Sequence, residues 1–332
     1  MTAKEACLAA ASGLHETFPD AEIMCIPMSD GGEGMVECIT ESLGAKKVSV
    51  KVHDPLMQMI EAHYAISAEG DTAYMEMAES SGLTLVPFDK RNPMLTTTYG
   101  VGEMILDAVH RGCRKIVMGI GGSATCDGGK GMIDCLRDHL PLPIELIVAS
   151  DVNNPLFGEN GAAYIFAPQK GATPEQVKLL DERLHAFALE TEQAGVAAPD
   201  LANYPGAGAA GGLGYGLMAY LGATLKSGID LVLDTISFDQ KIEKADFIVT
   251  GEGKSDKQTL MGKVPMGILR RAERQNIPVH IVSGAVEDLE DLSAAGFSSI
   301  RSINEDDHRP LNVLMQKEVA MENLKRTNKV LR

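Results

Sequence analysis

No two cysteines in this chain stand in a CxxC spacing. The six (Cys7, Cys25, Cys38, Cys113, Cys126 and Cys135) are scattered, too sparse for a disulfide scaffold and without zinc-ligand spacing, which points to reduced thiols in a cytoplasmic protein. Positive charge is also scarce. Against 46 Asp and Glu there are 30 Lys and Arg, a formal net charge of −16, which argues against nucleic acid or an anionic membrane as the main partner. No apolar run approaches the length of a membrane span, and no signal-peptide pattern is found. Tryptophan is absent, while glycine is abundant and hydrophobic residues make up 45% of the chain. That balance fits an α/β enzyme with a sizeable core, and 332 residues suffice for two domains.

Glycine is present in a pattern. Twice a glycine run closes on an aspartate: Met28-Ser29-Asp30-Gly31-Gly32-Glu33-Gly34, and Gly119-Ile120-Gly121-Gly122-Ser123-Ala124-Thr125-Cys126-Asp127-Gly128-Gly129. Each follows an apolar, strand-like run and precedes a helix-like one. Glycines there let backbone N–H groups approach a ligand, and the following helix N-terminus favours an anion. Carboxylates repel phosphate, but they hold Mg²⁺ or accept a proton from an attacking hydroxyl. Phosphoryl transfer follows from the combination, and a local loop with Mg²⁺ can bind ATP even on an acidic protein.

The chain opens on a helix, with a Thr2-Ala3-Lys4-Glu5 capping box and helical spacing through Phe18. Strand candidates follow at Met24–Met28, Val48–Val52, His63–Ile66, Ala73–Met77, Ile116–Ile120, Leu146–Ala149, Leu231–Leu233, Phe247–Thr250 and Val279–Ser283. Helical patterns lie between several of them, including Val101–Arg111, Pro174–Gln193 and Pro265–Gln275. Alternation of this kind implies a mostly parallel sheet covered on both faces, with ligands at the carboxyl ends of its strands. Both glycine–aspartate loops occupy that position, as do Ser150-Asp151 and Thr250-Gly251-Glu252. The expected domains are interleaved: 1–75 plus 240–332 form one α/β domain, apparently lacking its first strand, and 76–239 an inserted second one.

Other motifs have duller readings. Gly206-Ala207-Gly208-Ala209-Ala210-Gly211 matches a dinucleotide fingerprint in letters but does not follow a strand, so a tightly packed or substrate-touching loop is the better reading. No Walker A run and no protein-kinase triplets occur. Thr96-Thr97-Thr98-Tyr99-Gly100 offers hydroxyls before a helix, with Thr98 explained in part as an N-cap. Gly251 to Thr259 packs acids, lysines and hydroxyls behind a strand. Cys126, with no histidine nearby in sequence, reads as packing. So do Met57–Met59 and Met75–Met77, and His53 and His63 have no metal-ligand spacing.

Together Ser29–Gly34, Asn92-Pro93 with Thr96–Gly100, Gly119–Gly129, Asp151 with Asn154-Pro155-Leu156, Gly161-Ala162, Pro168–Ala172, Gly206–Gly216 and Gly251–Thr259 closely resemble the bacterial glycerate kinase family of the first type, in order along the chain to about residue 300. The resemblance implies ATP- and Mg²⁺-dependent phosphorylation of D-glycerate at its 2-hydroxyl. It also implies two α/β domains, one flavodoxin-like and one restriction-endonuclease-like, with the site in the cleft between them. On that reading Asp127 or Asp256 accepts the hydroxyl proton, and Asp151 and Glu252 hold Mg²⁺. Asp30, Gly31, Gly32, Glu33, Gly121, Gly122 and Ser123 hold phosphate or carboxylate oxygens, aided by Thr97, Thr98, Gln258 and Thr259, while Lys170 and Lys254 neutralise charge. The expected assembly is a monomer or homodimer. Family members carry two segments absent here: a strand with an Asp-Ser-Phe-Lys-Gly loop before the helix that starts at Thr2, and a stretch after Asp134-Cys135-Leu136. A sugar-acid-binding regulator that has lost catalysis through these absences is one rival reading. A nicotinamide dehydrogenase built on Gly206–Gly211 is the other.

Overall fold

The computed structural model of the protein describes residues 1–32 and 34–328, so Glu33 lies outside the described residues. The chain separates into two compact units. One comprises the residues up to Asp30 together with those from Val232 onward; the other is Gly31–Leu231.

A six-stranded sheet organises the Gly31–Leu231 unit. Its strands β1 (Lys46–His53), β2 (Met59–Ile66), β3 (Thr72–Glu76), β4 (Lys115–Gly119), β5 (Glu145–Ala149) and β6 (Thr224–Lys226) lie side by side in chain order. β3 to β6 run parallel, whereas β1, β2 and β3 are joined antiparallel. The first two strands are therefore a hairpin and not part of the parallel alternation expected from the sequence. Asp54 makes its turn: one carboxylate oxygen accepts from Leu56 N and Gln58 N, both at 2.8 Å, and Met57 takes a left-handed φ of 62°. Met57 and Met59 are exposed at this turn rather than packed, while Met75 and Met77 are fully buried.

β3, β4 and β5 are buried almost without a break, as central parallel strands covered on both faces must be. One cluster places Val52, Tyr64, Met75, Ile105, Met118 and Leu136 together. Another gathers Leu156, Leu180, Leu184, Ala207 and Tyr215 beneath the helix Pro174–Gln193. That helix has the bounds its sequence predicts: Thr173 and Gln176 form a capping box, Pro174 occupies the first turn, and Val177, Leu180, Leu184, Ala188 and Thr191 are buried at helical spacing. The expected domain break at 75/76 falls inside β3, because residues 31–75 carry the hairpin that hydrogen-bonds onto this sheet.

The other unit holds β7 (Ile248–Thr250), β9 (Val279–Ser283) and β11 (Ser299–Ser302) as a parallel sheet in the order β11-β9-β7, and β8 (Lys254–Ser255) pairs with β10 (Ala285–Val286). The N-terminal helix Ala3–Thr17 starts at the expected Thr2 capping box, and Ala9 and Leu14 pack with Val282, Ile303 and Leu324. Two strand expectations fail. Residues 24–28 form no strand, and Leu231–Leu233 lies within the helix Gly228–Thr235. The burial of Ile229, Val232, Leu233 and Ile236 has helical spacing, which a three-residue window conceals.

Candidate active site

The carboxyl ends of β4 and β5 collect both glycine loops. A side chain at Gly31 would lie 2.6 Å from Gly228 Cα and 2.9 Å from Ala149 Cβ, and one at Gly119 would lie 2.7 Å from the carbonyl oxygen of Gly31. Gly121 approaches Gly32 Cα less closely, at 3.3 Å from where its Cβ would be. Glycine is needed at Gly31 and Gly119 because backbone meets backbone. Asp151, just past β5, accepts a 2.9 Å hydrogen bond from Gly228 N at the start of the helix Gly228–Thr235. Gly31, Gly32, Gly119, Gly121, Asp151 and Gly228 thus meet at two adjacent strand ends, the position where parallel α/β sheets bind ligands. Asp30 is exposed at the mouth of the first loop.

Two contributors have no local sequence signal. Glu76, the last residue of β3, accepts from Gly34 N at 3.4 Å and Val36 N at 2.8 Å, so its carboxylate closes the N-terminus of the helix Met35–Leu43. Gly228 is the other.

The second loop is fastened from beneath. Asp127 Oδ2 accepts from Thr98 N at 2.9 Å, Thr98 Oγ1 at 2.8 Å and Gly131 N at 3.1 Å, and its Oδ1 accepts from Gly129 N at 3.1 Å. Thr98 is fully buried; it does not cap its own helix, and its hydroxyl instead accepts from Met132 N at 3.0 Å. Thr96 Oγ1 donates to Ala124 O at 2.9 Å, and Thr97 Oγ1 accepts from Tyr99 N at 3.2 Å. Thr96 and Thr98 thus fasten the second loop through their own hydroxyls. Cys126 is buried in an apolar cluster, and its thiol is pushed up to about 11 by burial, which makes it a packing residue.

Lys170 lies behind the same loop. It is 2% exposed and donates to Ser123 Oγ and to Thr125 O, each at 2.6 Å. Burial pulls its ammonium down to about 8. The Gly206–Gly216 run follows a short 3₁₀ turn at Leu201–Asn203 rather than a strand, so the dinucleotide context is missing. Its glycines interlock with the second loop: Gly128 N donates to Gly211 O at 3.0 Å, and a Cβ on Gly211 would stand 2.0 Å from Thr125 O.

In the other unit the loop after β7 ties its acids together. Glu252 Oε1 accepts from Thr259 Oγ1 at 2.5 Å and from Ser255 Oγ at 3.2 Å, and its Oε2 lies 3.6 Å from Lys263 Nζ. Thr259, fully buried, also accepts from Asp256 N at 3.0 Å. Asp256 Oδ1 accepts from Gln258 N at 2.9 Å, and Oδ2 stands 3.5 Å from Lys254 Nζ, which also pairs with Glu287 at 2.8 Å. The hydrogen bond from Gln258 N and the nearby lysine hold the Asp256 carboxyl below its usual range. Gly251 is required where its Cβ would lie 2.0 Å from Val282 O, and Ser283 Oγ, at 2.7 Å from Ser255 Oγ, extends the network. Among the described residues no group of three or more His, Cys, Asp or Glu is placed to hold a metal ion, and no helix is long and apolar enough to cross a membrane.

The glycerate kinase family model matches residues 1–140 and 137–331. The chain belongs to the glycerate kinase family. Glycerate kinase from Halalkalibacterium halodurans is 42% identical over 316 residues, covering 86% of this chain and 82% of that one. Glycerate 2-kinase from Escherichia coli K12 is 39% identical over 317 residues, 87% and 83% of the two chains. A crystal structure from Salmonella typhimurium LT2, provisionally named glycerate kinase 2, superposes with a TM-score of 0.86 at 36% identity, covering 99% of this chain and 93% of that chain. With Bacillus cereus glycerate kinase the alignment runs over 358 residues, more than the 332 present here, so that relative carries residues without a counterpart in this family member. The two family matches overlap at residues 137–140.

Proposed function

We propose that this enzyme transfers the γ-phosphoryl group of ATP to the 2-hydroxyl of D-glycerate, giving 2-phosphoglycerate. The observation that carries the reading is the meeting of two glycine loops, Asp151 and Gly228 at the ends of β4 and β5, in a chain whose relatives are named glycerate kinase and glycerate 2-kinase. Transfer of this kind asks little covalent chemistry of a protein; positioning and charge neutralisation supply most of the rate. The exposed turn Gly121–Gly122 and Ser123 would hold ligand oxyanions. We assign the proton-accepting role to Asp256 rather than Asp127, because four chain donors already claim the Asp127 carboxylate, whereas Asp256 accepts from one backbone N–H. Lys254 and Lys263, beside Asp256 and Glu252, would balance phosphate charge.

Mg²⁺ usually takes one or two carboxylates plus substrate phosphates; Asp151 and Glu252, each in its own unit and each oriented by hydrogen bonds, are the carboxylates that would serve it. When bound, the ion would neutralise charge on the transferring phosphate. The flavodoxin-like and restriction-endonuclease-like description of the two domains belongs to this proposal, as does a cytoplasmic monomer or homodimer.

The surplus of residues in the Bacillus cereus relative favours a second reading, a glycerate binder that no longer transfers phosphate. The deciding experiment incubates the full chain with Mg²⁺, ATP and D-glycerate, follows ADP release, and identifies the product by phosphorus NMR. ADP and 2-phosphoglycerate in equal amounts support the kinase. Glycerate binding without ADP release supports the second reading, and neither binding nor turnover removes both.

A further inference from the structure

The ammonium of Lys170 lies beneath the one turn of the second glycine loop that faces solvent. Gly121 and Gly122 are exposed, and their N–H groups donate to no acceptor among the described residues. Ser123 is 8% exposed and follows directly. Its hydroxyl oxygen is occupied as an acceptor by Lys170 Nζ, an ammonium having only donors to offer. The hydroxyl hydrogen has no acceptor among the described residues. Beside it, the buried Thr125 Oγ1 has no hydrogen-bond partner. No carboxylate ion-pairs with Lys170 among the described residues. The titratable groups that face it are Cys126 and Asp127, both on the loop; burial keeps the Cys126 thiol neutral, and Asp127 is turned to its four donors.

A buried charge without an ionic partner is costly, and a chain held only by packing would place an apolar side chain here. We infer that Lys170 is a positioning residue: by donating to Ser123 Oγ it turns the hydroxyl hydrogen away from itself and leaves it to be given to a ligand, and it backs the amides of Gly121 and Gly122 with a positive charge, so that the loop takes a ligand oxyanion, a phosphate or a carboxylate. Lys170 itself touches no ligand, in contrast to the direct neutralising role expected from the sequence. This deepens the kinase reading and rests on it.

Calorimetric titration of the full chain with ATP alone and with D-glycerate alone tests the inference and separates the two oxyanion sources. Wild-type affinity for one of them falls roughly tenfold as the pH rises from neutral to well above 8 and the ammonium is lost. Lys170→Met binds that ligand at the weak level at every pH, yet its melting temperature is no lower than that of wild type. Ser123→Ala weakens binding but keeps the pH dependence, because the charge remains. A role in packing alone would lower stability and leave the pH profile of binding unchanged. If wild type binds a ligand with an affinity flat in pH and Lys170→Met binds it equally well, the inference fails and the kinase reading stands. If wild type binds neither ligand, both fail. Should Lys170→Met not fold, the wild-type series decides by itself, a flat profile overturning the inference.

Discussion

Asp127 and Asp256 both follow strand ends in glycine-rich turns, yet the chain uses them differently. Asp127 accepts four hydrogen bonds from Thr98, Gly129 and Gly131. Asp256 accepts one from Gln258 N and shares its other oxygen with Lys254 at 3.5 Å. The glycines divide in the same way. Gly211 is wedged against Thr125 O at a left-handed φ of +70°, whereas nothing lies within 4 Å of a Cβ built on Gly253. An acid that gathers three backbone N–H groups and a hydroxyl holds a loop in shape, whereas one with a single backbone donor leaves most of its acceptor capacity unused.

The aspartates should part most widely. Asp256→Asn is expected to fold as wild type does and to lose turnover by roughly a thousandfold in the ADP-release assay. Asp127→Asn turns an amide NH₂ toward backbone donors and is expected to lose about 4 kcal/mol in urea unfolding. If Asp127→Asn keeps its stability, or Asp256→Asn its turnover, the contrast between the loops is broken.

Next are the glycines. Gly211→Ala meets the Thr125 carbonyl at 2.0 Å in a left-handed backbone and should cost about 3 kcal/mol, while Gly253→Ala should leave the melting temperature where it was. Equal effects at both would show that the interlock is not what fixes the second loop.

Lys170 sharpens the comparison through pH. Its proton is held to about 8 in the folded chain against an ordinary 10.5. Between those values the unfolded chain binds more protons, so this group makes stability rise with pH, by up to about 3 kcal/mol across the window. Below 8 the full desolvation penalty applies. Urea unfolding of wild type at neutral and alkaline pH, compared with Lys170→Met, should show the rise only in wild type. The smallest effect belongs to Lys254→Ala, whose pairs with Asp256 and Glu287 are exposed: no measurable change in melting temperature is expected.

Much of the frame was legible in the sequence where local chemistry decides the outcome. The capping boxes at Thr2 and Thr173 mark true helix starts, and the apolar runs at 116–120 and 146–149 correspond to β4 and β5. The failures have physical causes. Apolar residues at 24–28 find no strand partner, and at 231–233 the helical period wins over a short hydrophobic run. The glycine loops could be found because close backbone approach leaves a compositional trace. Glu76 at a helix N-terminus, Gly228 against Gly31, and Lys170 behind Ser123 leave none, since each depends on a partner at least 40 residues away that only the fold supplies. The hydrogen bonds of Thr98 to Asp127 and Met132 are equally invisible locally, since a buried hydroxyl and an offered one look alike in sequence.

The order of the six-stranded sheet has a consequence for the company this protein keeps. Its outermost strands are β1, which carries the exposed lysines Lys46, Lys47 and Lys51, and β6, only three residues long. A row of like charges on one margin and an abrupt stop on the other are how natural sheets discourage fibre-like growth. Two copies of this chain would therefore not associate by continuing the sheet from one molecule into the next.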